Sequence, residues 1–279
     1  MALKLKRSES FYIREGWIEK AINTIKEADH NIFTKNEGVR YLGIGSNMVK
    51  GLKYWLKASN IIADSKFNEL TDFGNTLFMY DRYMDSKFSW FFVHYFLSTN
   101  KEDCPIFYYV FSQQPVKSFA KNDLTDLIIE QYTEEAGNIN RKNLEADINT
   151  FVKSYITEEV ITNPENNYAC PLSSLNLIKK TRNKYSLCAP AYNSLHYLVV
   201  YYALTQLYEE SFVIEESMEL EKSPVKVFNL DKYVYLQYLD EMRQAGLVTI
   251  NKTAGLNTVY IDEHLTLNQV FERYFGDVL

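Results

Sequence analysis

Between Leu42 and Ala58 the sequence passes from a tight turn into a helix with two opposed faces, and few folds accommodate that pattern. Leu42-Gly43-Ile44-Gly45 places two glycines where the chain must turn sharply. Ser46 has a side chain suited to accept from the first helical N–H groups, which predicts an N-cap for a helix reaching about Ala58. Val49, Leu52 and Leu56, with Met48 and Trp55, recur at helical spacing and predict the buried stripe. Lys50, Lys53 and Lys57 recur at i, i+3 and i+7 on an outer face, flanked by Asn47 and Tyr54. An amide, a phenol and three amines on a helix entered through a tight turn suit the recognition helix of a helix-turn-helix. The amines reach phosphates and give salt-dependent affinity. Asn47, near the helix N-terminus, carries the amide that can read an adenine edge.

The flanking sequence extends this reading. Arg14–Ala28 sets Trp17, Ile18, Ala21, Ile22 and Ile25 on one helical face, and Glu37–Leu42 predicts a short second helix carrying Arg40. Asn60–Asp64 and Glu69–Thr71 read as two short strands around Ser65-Lys66-Phe67-Asn68, a small wing, after which Thr71 caps another helix. The expected nucleic-acid contacts are therefore Arg40, Ser46, Asn47, Lys50, Lys53, Tyr54, Lys57 and Lys66. Gly43-Ile44-Gly45 is not a dinucleotide or phosphate cradle, because Met48 stands where the third Gly is needed and no strand precedes it. The spacing of a nucleophile elbow also fails.

Composition narrows the class. With 279 residues, 46% hydrophobic and 24% charged, the chain has enough apolar surface for a packed core and is not a disordered segment. The net charge of −6 excludes a uniformly basic nucleic-acid wrapper, but residues 1–57 hold 11 Lys/Arg against 6 Asp/Glu. An anionic partner is thus expected at the N-terminal part. Three widely spaced cysteines (Cys104, Cys170, Cys188), with no nearby His, make neither a zinc motif nor a disulfide framework. The N-terminal Met-Ala-Leu-Lys-Leu-Lys-Arg lacks an apolar signal core, and no apolar run is long enough to cross a bilayer. A cytoplasmic protein with no membrane partner is expected. The 22 Tyr are compatible with protein interfaces, including assembly into a homo-oligomer.

The rest of the chain reads as mainly helical. His94, inside the aromatic run Asp81–Leu97, is expected to be a hydrogen-bonded core residue. Pro105 and Pro115 predict a linker between about Asn100 and Lys117, dividing a winged-helix domain (1–100) from a helical domain (117–279). Helices are expected over Asn122–Ala136, closed by Gly137, and Arg141–Ile156, capped by Asn140. Lys179, Lys180, Arg182 and Lys184 form a second basic cluster around a turn at Asn183, which reads as a solvated loop in preference to a contact with a phosphate backbone. Pro190–Glu210 reads as a buried helix. Leu230–Ala245, then Leu247–Asn251 with Asn257–Asp262, then Leu265–Tyr274, read as helix, hairpin, helix. The fold class expected is α+β, mainly α with small β-hairpins: an N-terminal winged helix-turn-helix and a larger helical domain ending in a second winged-helix-like unit.

Several stretches resemble a known family. Phe11-Tyr12-Ile13-Arg14-Glu15-Gly16-Trp17, Leu42–Val49 with Tyr54-Trp55, Leu70-Thr71-Asp72-Phe73-Gly74, Ser89-Trp90 with His94-Tyr95, and Cys170-Pro171-Leu172 are similar to the prokaryotic domain-of-unknown-function family 4007. Some of its members sit in phage-defence and DNA-phosphorothioation gene clusters, where SspB-like subunits occur. The resemblance implies a DNA-binding subunit that contacts double-stranded DNA and other subunits of a modification or defence complex. It also implies DNA nicking with Mg or Mn as cofactor. Many relatives carry a His near Ser8, so His chemistry at that spot is not implied for this chain. Asp64-x-Lys66 and Asp85-x-Lys87 are too common to name a catalytic residue, and none is named. The alternative is a non-catalytic winged-helix adaptor or transcriptional regulator that recruits partner proteins to DNA.

Overall fold

The computed structural model describes residues 3–276 apart from 29, 35–36, 66–67, 158–168 and 254–255. Three helices open the chain: α1 (Trp17–Glu27), α2 (Glu37–Leu42) and α3 (Ser46–Ala58). Of the predicted stripes, α1 buries Trp17, Ile18, Ala21 and Ile22 and α3 buries Val49, Leu52, Trp55 and Leu56, while Ile25 and Met48 are half-buried. Helix α4 (Asp72–Tyr80) starts at Thr71, whose Oγ1 accepts the Gly74 N–H at 3.1 Å.

The expected wing is reduced to one antiparallel bridge, Ile62 to Leu70, supported by Ala63 N–H to Glu69 O at 2.8 Å and Thr71 N–H to Ile61 O at 3.0 Å. The cause is a break in alternation. Ile61 and Ile62 are both buried, and both N–H groups donate to the Leu56 carbonyl at the end of α3. A strand would turn one of them outward. Gly74 belongs to the same corner, because a Cβ there would lie 2.2 Å from the Ile61 carbonyl oxygen. Gly74→Ala is expected to cost about 3 kcal/mol, since backbone rather than a side-chain tip must yield. A denaturant midpoint equal to that of the unsubstituted chain would refute this close approach.

Helix α5 (Lys87–Thr99) is buried from Phe88 to Tyr95 and forms the centre of the molecule. The stretch expected as a linker is instead helical and buried: α6 (Pro105–Phe107) runs into a π-helical turn, Tyr108–Gln113. Pro105 does not break it, because a first-turn residue needs no N–H donor. Helices α7 (Lys121–Ala136) and α8 (Arg141–Tyr155) follow, with Gly137 in the left-handed region at φ 70° and Asn140 Oδ1 accepting the Asn143 N–H at 3.0 Å.

Two three-stranded antiparallel sheets complete the α+β architecture. In the first, β1 (Ser118–Phe119), β2 (Ile178–Thr181) and β3 (Lys184–Leu187) lie in the order β1-β3-β2. Helix α9 (Tyr197–Thr205) is shorter than the expected Pro190–Glu210, because residues before it turn and His196 Nδ1 caps the Leu198 N–H at 3.3 Å. Then come β4 (Ser211–Val213), α10 (Ile214–Glu219), α11 (Pro224–Val227), α12 (Lys232–Gln244), β5 (Val248–Thr253), β6 (Leu256–Ile261) and α13 (Leu267–Gly276). The second sheet has the order β4-β6-β5.

Helix α13 returns to the N-terminal elements. Its Tyr274 ring stacks on Phe88 at 3.8 Å between centroids, and Phe275 stacks on Tyr80 at 6.1 Å. His94 ties two further segments to α5: Nδ1 bonds the Tyr155 hydroxyl at 2.6 Å and Nε2 the Val227 carbonyl at 2.9 Å.

Candidate nucleic-acid interface

The candidate surface is built by α2, α3 and the turn between them. Gly43, at φ 67°, closes α2 through its N–H to the Val39 carbonyl at 3.0 Å. Gly38 lets the helices approach, since a Cβ there would meet Val49 Cγ1 at 2.5 Å. The N-cap of α3 is Gly45, not the expected Ser46, and no side chain caps this end. Gly45 already has the extended φ/ψ of a cap, so Ser46 becomes the first helical residue. Its first turn holds no acidic residue, and Gly45, Ser46 and Asn47 are exposed. The positive end of the helix dipole therefore faces water with no carboxylate of its own on it.

The predicted contacts separate into three groups. Arg40, Ser46, Asn47 and Lys50 are exposed, and Lys50 Nζ donates to Asn47 Oδ1 at 3.3 Å. Lys53 and Lys57 are half-buried on the same flank. Lys53 Nζ lies 5.8 Å from the Phe33 ring centroid, and burial, with Lys57 beside it, lowers its pKa. Lys57 Nζ pairs with Asp64 Oδ1 at 2.6 Å, and that amine holds the Asp64 carboxyl below its ordinary value. Asp64 was read only as a wing residue; its place seven residues after Lys57 was the available signal that it would neutralise the end of the stripe.

Tyr54 is the correction. It was expected to flank the exposed face, but its hydroxyl donates to the Asp103 carbonyl at 2.7 Å and lies 3.3 Å from Cys104 Sγ. Burial raises its pKa well above the ordinary tyrosine range. The neighbouring Trp55, stacked edge-on against Phe107, draws that side of α3 into the core. Lys66 lies outside the described residues.

Beneath Tyr54 is a cavity of about 30 Å³, room for a water-sized molecule, lined by Lys4, Arg7, Asp103, Cys104 and Asp147 among others. Asp147 Oδ2 accepts the Lys6 N–H at 2.6 Å, and burial raises its pKa. Asp103 pairs with Lys4 at 3.0 Å. Among the described residues no three His, Cys, Asp or Glu side chains come together as a metal-ligand set. Asp64 is engaged by Lys57, and Asp81, not Asp85, is the carboxylate fixed at the start of α5, accepting N–H groups of Asp85 and Ser86 at 3.0 and 3.2 Å. No described helix is long and apolar enough to cross a membrane.

Comparison with known proteins matches this architecture. A crystal structure of magnesium ion-bound SspB superposes with a TM-score of 0.85 at 18% identity, covering 98% of this chain and 88% of that one. A second SspB crystal structure gives 0.79 at 16% identity, covering 98% and 94%. At such identity the likeness shows the fold. No curated protein matches in sequence. The family described as protein of unknown function (DUF4007) matches residues 5–275, and the chain therefore belongs to that family.

Proposed function

We propose that this protein is a DNA-contacting component of a prokaryotic phosphorothioation or phage-defence system, and that α2 and α3 present the contact surface. The uncapped, acid-free N-terminus of α3, exposed beside Asn47, Lys50 and Arg40, is the observation that carries this reading. A phosphate would meet the helix N–H groups and the Lys50 amine together, while Asn47 lies at the end from which base edges are reached. The likeness to SspB supports the setting within a multi-subunit modification system.

The C-terminal unit supports a different role. Its order, α9, β4, α10 with α11, α12, then β5 and β6 with β6 beside β4, is compatible with a winged-helix unit. Yet α12 exposes Tyr233 and Leu236 and ties Arg243 to Asp240 at 2.7 Å. Such a surface favours protein contact over phosphate. One similar structure is of SspB with magnesium bound, but the described residues here gather no metal-ligand set, so no cleavage step is assigned.

The test is binding of a fluorescent duplex of about 30 bp, followed by anisotropy. Roughly four phosphate contacts at α2 and α3 contribute about −3 to −4 to the slope of log affinity against log salt. Asp64→Asn, which frees Lys57, is expected to tighten binding about 2- to 5-fold at low salt. Looser binding by that variant, or none by the wild type, would overturn the assignment. Supercoiled plasmid with Mg²⁺ or Mn²⁺ separates the nicking subunit from the adaptor: chelator-sensitive open circles support nicking.

A further inference from the structure

We infer that the outer face of the β1-β3-β2 sheet is a second contact for the phosphate backbone of duplex DNA. This rests on the reading that the chain contacts DNA, but it concerns residues on the far side of the sequence from α3. Residues 117–121 and 178–187 contain Lys117, Lys121, Lys179, Lys180, Arg182 and Lys184 and no Asp or Glu, in a chain whose net charge is −6.

The strand register sorts these residues by face. Ile178 opposes Leu187, and Lys180 opposes Tyr185, which also pairs with Phe119. Ile178, Leu187, Tyr185 and Phe119 are buried, so this face is the inner one. The alternate pairs, Lys179 with Ser186 and Thr181 with Lys184, together with Ser118 opposite Ser186, make the outer face. Among the described residues of these strands it consists of amines and hydroxyls with no carboxylate. Lys179, Arg182 and Lys184 are exposed, and none takes part in an ion pair among the described residues.

Two features suit this face to a polyanion. Lys179 and Thr181, two residues apart on one strand, are separated by about 6.6 Å, close to the spacing of successive phosphates along a DNA strand. The sheet is held rigidly from below, where Phe119 stacks on Tyr185 at 5.8 Å and packs on Phe151 of α8, so little ordering is left for binding. At the tip, Arg182 has a φ of 55°, a conformation that Asn or Gly adopts at lower cost. The turn thus carries a guanidinium at its outermost point where local backbone preference would select a smaller residue.

The experiment uses the full chain and the same labelled duplex. K179Q/R182Q/K184Q is expected to weaken binding about 10-fold at about 100 mM salt and to flatten the salt slope by roughly 2 to 3. Arg182→Asn alone is expected to weaken binding several-fold with a melting temperature unchanged or raised, which a purely structural tip would not do. Unchanged duplex binding by the triple variant, alongside weakened binding by K50E/K53E, would overturn the sheet contact and leave α3 in place. Weakened binding by the triple variant alone would support the sheet and remove α3. A wild-type chain that binds polyglutamate but no duplex would overturn both in favour of an acidic protein partner.

Discussion

Charge reversal at Lys50 and Lys53 (K50E/K53E) is expected to weaken duplex binding on the order of 30- to 100-fold at about 100 mM salt, and the effect should shrink as salt rises. Both side chains project from the flank of α3 that begins at the uncapped, acid-free N-terminus. Each reversal removes a phosphate neutraliser and adds a charge that repels the backbone. Stability should fall by less than about 1 kcal/mol, because Lys50 is exposed and Lys53 loses only its position over the Phe33 ring. Tyr54→Phe is the control. It removes the hydroxyl that bonds the Asp103 carbonyl, so it should lower stability by about 1 kcal/mol and leave duplex affinity alone. Equal affinity of K50E/K53E and the wild type at low salt would remove α3 from the interface.

Lowering the pH from 7 to about 4.5 is expected to cost about 2–3 kcal/mol of stability through His94 alone. Burial pushes this imidazole down to about 4, against an ordinary value near 6.5. The sign follows from the depressed folded value. Below pH 6.5 the unfolded chain takes up a proton that the folded chain refuses until about pH 4, so acid favours unfolding across that window. The neutral ring donates from Nε2 to the Val227 carbonyl and accepts the Tyr155 hydroxyl proton at Nδ1, so a second ring proton would force that hydroxyl to turn and accept instead. Asp81 and Asp147, whose carboxyls burial pushes up, act in the opposite direction as the pH falls. Urea midpoints of wild type and His94→Asn across pH isolate the histidine contribution. The His94 imidazole resonance titrating near pH 6.5 in the folded chain, identified by its loss in His94→Asn, would refute it.

The mixed fate of the predicted contacts follows from what local sequence encodes. Lys50 and Asn47 were placed on an exposed face by spacing alone, and they are exposed. Tyr54 shares that spacing but has a hydroxyl that water or a buried carbonyl can satisfy equally, so periodicity could not choose. The prolines between about Asn100 and Lys117 predict a linker, yet Pro105 at a helix start is compatible with burial, and only packing against α5 decided it.

What the sequence by itself determined was local: the apolar faces of α1 and α3, the Thr71 and Asn140 caps, and the left-handed stop at Gly137. Each depends on residues within one helical turn of one another. Only the tertiary structure joined Ser118 to Ser186, brought β4 beside β6, and turned the wing into a single bridge. Those pairings depend on which distant backbone groups are left needing partners once the helices have packed, and no short stretch of sequence records that.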